Sequence, residues 1–125
     1  LGEYRDAGGR GPTQTAMKVA YGADQAVAAE MAHRMWATEL LPGQLNQELR
    51  TPRMFEDASS LVHRGDVARQ IPCGPDARHH VDAIEQRARA GYDEVYIQQI
   101  GPDMEGFFSL YADEVLPVVH REAAA

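Results

Sequence analysis

Residues 90–108 read AGYDEVYIQQIGPDMEGFF, and the fold turns on how this stretch is parsed. Gly91 halts the pattern that precedes it. The run DEVYIQQIG that follows is rich in β-branched and aromatic residues and has the composition of a strand. Gly101-Pro102-Asp103 ends that run and supplies a helix N-cap. Beyond it Met104, Phe107, Phe108, Tyr111, Val115, Leu116 and Val119 recur along one helical stripe. Side chains this large at helical spacing predict a helix packed on a sheet rather than a cofactor-binding face. Pro117 predicts a kink or a tightened final turn.

The same grammar appears upstream. DARHHVDAIEQRARAG reads as a helix capped by Asp76 and stopped by Gly91, with Val81, Ile84 and Ala88 on one face. TAMKVAYG, residues 15–22, alternates Ala16, Lys18 and Ala20 with Met17, Val19 and Tyr21, which is the period of a strand. Asp24 then caps a helix in which Val27, Met31 and Met35 recur, closed by Pro42-Gly43. Residues 43–74 are the least regular part, with a helical turn in QLNQEL, a helix opened by Thr51-Pro52 and a helical piece in GDVARQ. The predicted order is strand 15–22, helical crossover 24–74, helix 75–91, strand 93–100 and helix 103–121. No internal repeat or low-complexity tract interrupts it.

Two strands, each followed by a helix and joined by a long helical crossover, specify parallel pairing. Parallel strands need neighbours and cover on both faces, so two alone do not make a stable sheet. The missing strands are expected from another chain or from sequence upstream. The opening LGEYRDAGGRGP has no initiator methionine and no capped element, whereas REAAA reads as a fraying natural terminus. The expectation is a C-terminal fragment of a larger α/β fold.

At 125 residues the chain is long enough for one domain with a core. Its net charge of −7 argues against nucleic acid or an anionic membrane as partner. No apolar stretch approaches the ~20 residues of a membrane span, and nothing resembles a signal peptide. A single cysteine excludes an internal disulfide framework and fits a reducing compartment. These features predict a soluble, cytoplasmic protein.

Few residues carry a chemical signal. GGRGP, residues 8–12, has the glycines of an anion-cradling loop, but it precedes a strand instead of running from a strand into a helix, so it reads as a turn. Cys73 has no identifiable base and reads as a small apolar filler. His79 and His80 point about 100° apart on a helix, cannot easily chelate one metal, and read as a solvated face. No HExxH or CxxC spacing occurs, so no metal site is expected. What remains is the strand ends, the working face of parallel α/β folds: Tyr21, Gly22 and Ala23 for the first strand, Gln98, Gln99, Ile100 and Gly101 for the second. Consecutive glutamines in a strand due for burial must each find hydrogen bonds, either by tying down a loop or by facing a polar cavity.

IPCGPD, the helix ending in ARAGYDEV, and YIQQIGPDMEGFFSLYADEVLP resemble the C-terminal end of the luciferase-like oxidoreductases. The likeness is nearest to the branch that uses the deazaflavin coenzyme F420, a group related to the F420-dependent glucose-6-phosphate dehydrogenases. GGRGP, MKVAY, MAHRMW and LPGQL also fit, so the resemblance spans nearly the whole chain and is most specific from Ile71 to Pro117. It implies a (β/α)8 TIM barrel, typically about 250 residues, with this chain supplying the last two strands, their helices and a helical insertion that rims the substrate pocket. It implies coenzyme F420, with FMN as the alternative, a small-molecule substrate, and a homodimer of the full-length protein. Gln98, Gln99 and Gly101 become candidates for the pocket wall, and Arg69 for a substrate contact. The family's catalytic and cofactor-gripping residues lie mainly in its N-terminal portion, so none is assigned here. The lysine by which the sugar-phosphate dehydrogenases hold substrate has no counterpart near Leu45. A non-enzymatic α/β module that completes its sheet by self-association is the rival reading.

Overall fold

A computed structural model of the chain describes residues 1–123. A short helix, α1 (Gly2–Asp6), leads to β1 (Gln14–Val19) and α2 (Gln25–Trp36). A 3-10 turn (Ala37–Leu40) and three helices, α3 (Leu45–Glu48), α4 (Pro52–Ser59) and α5 (Arg64–Gln70), make up the crossover. Then come α6 (Ala77–Arg89), β2 (Glu94–Gln99) and α7 (Met104–Leu110), which runs through a π-helical turn (Tyr111–Val115) into α8 (Leu116–Ala123). The expected N-caps all form. Asp24, Thr51, Asp76 and Asp103 accept hydrogen bonds from the backbone N–H groups of Val27, Met54, Arg78 and Gly106.

The strands pair in parallel, from Gln14 opposite Glu94 to Val19 opposite Gln99. Both are shorter than their predicted spans, because β1 gives way at Ala20 to a different partner. Ala20 donates to the Pro72 carbonyl and accepts from the Gly74 N–H, while Val19 accepts from the Ile100 N–H. Successive residues of a strand bond to opposite sides. Residues 72–74 therefore line the edge of β1 away from β2. At the other end of the strands the Asp93 carboxylate accepts from the Thr13 N–H at 2.7 Å and from Arg5 at 3.2 Å, and the Thr13 hydroxyl lies 2.9 Å from it.

One face of the sheet is covered. Met17 and Val19 pack with Val81 and Ile84 of α6 and with Phe107, Leu110, Tyr111 and Val115. Burial of Val19, Val81 and Val115 contributes about 1.5–3 kcal/mol each. A second cluster joins Ala28, Ala29 and Ala32 of α2 to Ala20, Val67, Ile71, Cys73 and Ile100. The other face of the sheet, with Ala16, Tyr96 and Gln98, is left open.

Three expectations are corrected. The face that α2 buries is its alanines, not Val27 and Met35, which are 67% and 51% exposed; close approach to α5 and the strand ends admits only small side chains. Phe107, Tyr111 and Val115 of the last stripe are buried, but Phe108 is 61% exposed and Met104 and Leu116 are also exposed. The helix widens before Pro117, which has no N–H to donate. The Leu116 N–H accordingly reaches back to the Tyr111 carbonyl. His80 is not solvated at all: it is 0% exposed.

Candidate functional site at the strand ends

The Gln99 side chain acts as a substitute peptide group. Its Oε1 accepts from the Tyr21 N–H at 2.9 Å and its Nε2 donates to the Tyr21 carbonyl at 3.2 Å. The amide thus continues the ladder beyond the last paired residue and fixes the loop after β1. Gly101 sits where this clamp passes. A Cβ there would lie 2.7 Å from Met31 Cε, 2.8 Å from Gln99 Nε2 and 3.1 Å from the Tyr21 carbonyl oxygen. Beyond it Asp103 caps α7, and Tyr21 with Gly22, Ala23, Asp24, Val27, Ala28, Met31, Pro102 and Asp103 lines a hollow of about 200 Å³.

The other two candidates lie elsewhere. Gln98 is exposed on the open face and lines a separate hollow of about 190 Å³ with Lys18, Glu39, Gln70 and Arg87. Lys18 Nζ there lies 3.3 Å from the Glu39 carboxylate and 4.3 Å from the Trp36 ring centroid. Arg69 stands on α5, bonded to Asp66, at the rim of an apolar hollow of about 440 Å³ that includes Leu40, Leu45, Leu61 and Val62. Gln99 and Gly101 are thus brought together, while Gln98 and Arg69 each belong to a different hollow.

The buried polar centre behind the strand ends is His80. Its Nε2 lies 3.1 Å from the Gly74 carbonyl and its Nδ1 3.0 Å from the Tyr111 hydroxyl. A carbonyl only accepts, so Nε2 carries the proton and the Tyr111 hydroxyl donates to Nδ1. Burial lowers the His80 pKa and raises that of Tyr111. Composition alone did not reveal this residue, yet a signal was present. Ala77, His80, Val81 and Ile84 have the i, i+3, i+4, i+7 spacing of the buried stripe. Cys73 is buried, donates to the Ile71 carbonyl at 3.0 Å, and has its thiol pKa pushed up to about 11 by desolvation, which fits a packing role.

Among the described residues no group of three or more His, Cys, Asp or Glu side chains could hold a metal, and no helix is long and apolar enough to cross a membrane. No family model and no curated protein matches the chain. Among solved structures, an F420-dependent secondary alcohol dehydrogenase in complex with an F420-acetone adduct matches with a TM-score of 0.75 and 23% identity over 92% of this chain. The likeness establishes the fold. It covers 35% of that protein's chain, so the present sequence spans about a third of its neighbour. The parallel pair, its long helical crossover and the terminal helix thus belong to an α/β architecture that is larger in the matched protein.

Proposed function

We propose that this chain is the C-terminal part of a luciferase-like (β/α)8 barrel that transfers a hydride between coenzyme F420 and an organic substrate. The observation that carries the reading is the uncovered side of the parallel pair. Tyr96 is 58% exposed on a strand flanked by Glu94 and Gln98, all facing away from the helices. Parallel strands are otherwise covered on both faces, and a barrel supplies that cover from its own lumen. The shared fold with an F420-dependent dehydrogenase supports the same assignment.

The residues present fit the wall of such a site rather than the grip on the coenzyme. The strand-end hollow holds no lysine, arginine or histidine, and its carboxylates Asp24 and Asp103 are helix caps. An anionic coenzyme tail finds no counter-charge there. Bound F420 would supply the hydride chemistry, while Gln99 and Gly101 hold the loop that lines the pocket. The test is a titration of the complete reading frame containing this chain with F420 and with FMN, beside the 125-residue chain alone. The expected result is saturable F420 binding by the complete protein only. A complete protein that binds neither overturns the assignment, one that prefers FMN transfers it to the flavin enzymes, and micromolar F420 binding by the chain alone overturns the division of labour. Sedimentation of the chain as a discrete, well-folded dimer favours the self-completing module instead.

A further inference from the structure

The free edge of β1 carries backbone groups that the fold leaves unused. In a parallel pair alternate residues bond to opposite sides, so Thr15, Met17 and Val19 face β2 while Gln14, Ala16, Lys18 and Ala20 face away. Ala20 is satisfied by the strap at residues 72–74, which runs parallel to it. Among the described residues no hydrogen-bond partner meets the outward N–H and carbonyl groups of Gln14, Ala16 and Lys18. The edge is thus open over about five residues and closed at Ala20.

One charge beside this edge is also unmatched. Arg87 of α6 is half-buried and reaches the hollow of about 190 Å³ that Ala16, Met17 and Lys18 line. It also lines an adjoining polar hollow of about 830 Å³ between α5 and α6. Every other ionisable side chain in these two hollows has a partner of its own. Lys18 pairs with Glu39, Arg69 with Asp66, His79 with Asp76, Asp82 with Arg78 and Arg89 with Glu85. Arg87 donates from Nη1 to the Ala83 carbonyl of its own helix at 2.8 Å, and no carboxylate pairs with it among the described residues. The rest of the guanidinium fork is free for an acceptor.

An isolated oxyanion would satisfy Arg87 but not the edge carbonyls, which need N–H donors; a peptide strand satisfies both. Pairing of this edge follows from the barrel reading, whereas the extent and the charge of the partner do not. We propose that the β1 edge and Arg87 form one docking surface for a parallel strand of the complete protein, paired over residues 14–18, turned away before Ala20 and bearing an Asp or Glu that bonds Arg87. The inference rests on the reading of this chain as part of a larger barrel, which supplies the partner.

The test is residue-resolved hydrogen exchange of the complete protein encoded by the reading frame that contains this chain, with sedimentation of the same samples. The Met17 and Val19 amides, which face β2, and the Ala20 amide, bonded to the Pro72 carbonyl, are internal references. The Ala16 and Lys18 amides are expected to exchange at least about 100-fold slower than in an unstructured peptide, as the references do. Arg87→Glu is expected to speed Ala16 and Lys18 about tenfold with Met17 and Val19 unchanged, and Arg87→Lys to retain part of the protection. The proposal is overturned by Ala16 and Lys18 amides that exchange freely in the parent protein. It is equally overturned by protection that disappears on dilution to a monomer, which gives the edge to a second copy. An Arg87→Glu protein that exchanges like the parent, or one whose reference amides speed up equally, removes Arg87 from the docking surface and refutes the acidic partner. The parent protein alone decides the pairing, and Arg87→Lys decides the charge if Arg87→Glu folds poorly. A protein with a paired edge that binds no F420 loses only the coenzyme, and one that binds F420 with a bare edge loses only this inference.

Discussion

Replacing His80 with phenylalanine removes two hydrogen bonds from the interior while keeping a ring of similar size in place. The Gly74 carbonyl and the Tyr111 hydroxyl lose their ring partner in a region where both residues are buried. A buried group left without its partner costs about 1–3 kcal/mol, so His80→Phe is expected to lose about 2–4 kcal/mol. His80→Ala adds a cavity and is expected to cost about 2 kcal/mol more. Against a typical total of about 5–15 kcal/mol this is a large share, and it is readable as a shift of the urea midpoint at constant m-value. The acid side carries a second signature. Burial lowers the His80 pKa in the fold, with His79 opposing the charge and Asp76 favouring it. Below the unfolded value of about 6.5, the unfolded chain takes up a proton that the folded one refuses. Stability contributed by neutral His80 is thus complete above that pH and is lost as pH falls towards the lowered folded pKa. The limiting slope is about 1.4 kcal/mol per pH unit. That component should vanish in His80→Phe. A phenylalanine variant within about 0.5 kcal/mol of the parent, or one with an unchanged slope between the two pKa values, refutes the interlock.

Other substitutions probe the strand ends and their opposite pole. Gly74 has φ +89° and would place a Cβ 2.8 Å from Gln25 Cα, so Gly74→Ala should be strongly destabilising in a thermal melt. Gly101→Ala meets Met31 and the Gln99 amide and should cost about 1–3 kcal/mol by the same measurement. Gln99→Leu leaves the Tyr21 backbone without its substitute peptide and should cost about 1–2 kcal/mol, with faster hydrogen exchange at the Tyr21 amide. The Thr13 N–H and hydroxyl, then Arg5, hold the Asp93 carboxyl below its usual pKa, so its stabilisation is full above the unfolded value and fades as pH falls through the folded one. Thr13→Val should reduce that acid-side loss in urea titrations, and an unchanged profile would count against the clasp.

The helices were legible because their ends are chemically marked. Aspartate or threonine opens α2, α4, α6 and α7, and Gly91 at φ +94° follows α6. The strands and their parallel sense followed from order alone. What failed to show was which face α2 buries. Ranking by hydrophobicity selects Val27, Met31 and Met35, but packing at short distance selects Ala28, Ala29 and Ala32 by size. Helix α1 carries no cap signal, since Tyr4 and Arg5 hold it through the glycine-rich turn: Tyr4 accepts from the Gly11 N–H, and Arg5 donates to the Gly9 and Gly11 carbonyls. The π-helical turn was visible only as a proline out of place. Its consequence lies one turn earlier, where Tyr111 is set to meet His80.

The paired glutamines show why a site is harder to read than a fold. In sequence Gln98 and Gln99 form one polar dipeptide, and either a loop tie or a cavity wall accounts for it. The pleat separates them, because consecutive side chains leave a strand on opposite faces. Gln99 falls on the helix-covered side and turns in-plane to the Tyr21 backbone, so it takes the role of loop tie. Gln98 falls on the open side beside Lys18, its register partner, in a hollow with Glu39. Both readings of the dipeptide are therefore realised, one by each residue. Only the Gln99 half shapes the strand-end hollow, and it does so by fixing the backbone of Tyr21, the residue that the end of the first strand already marked.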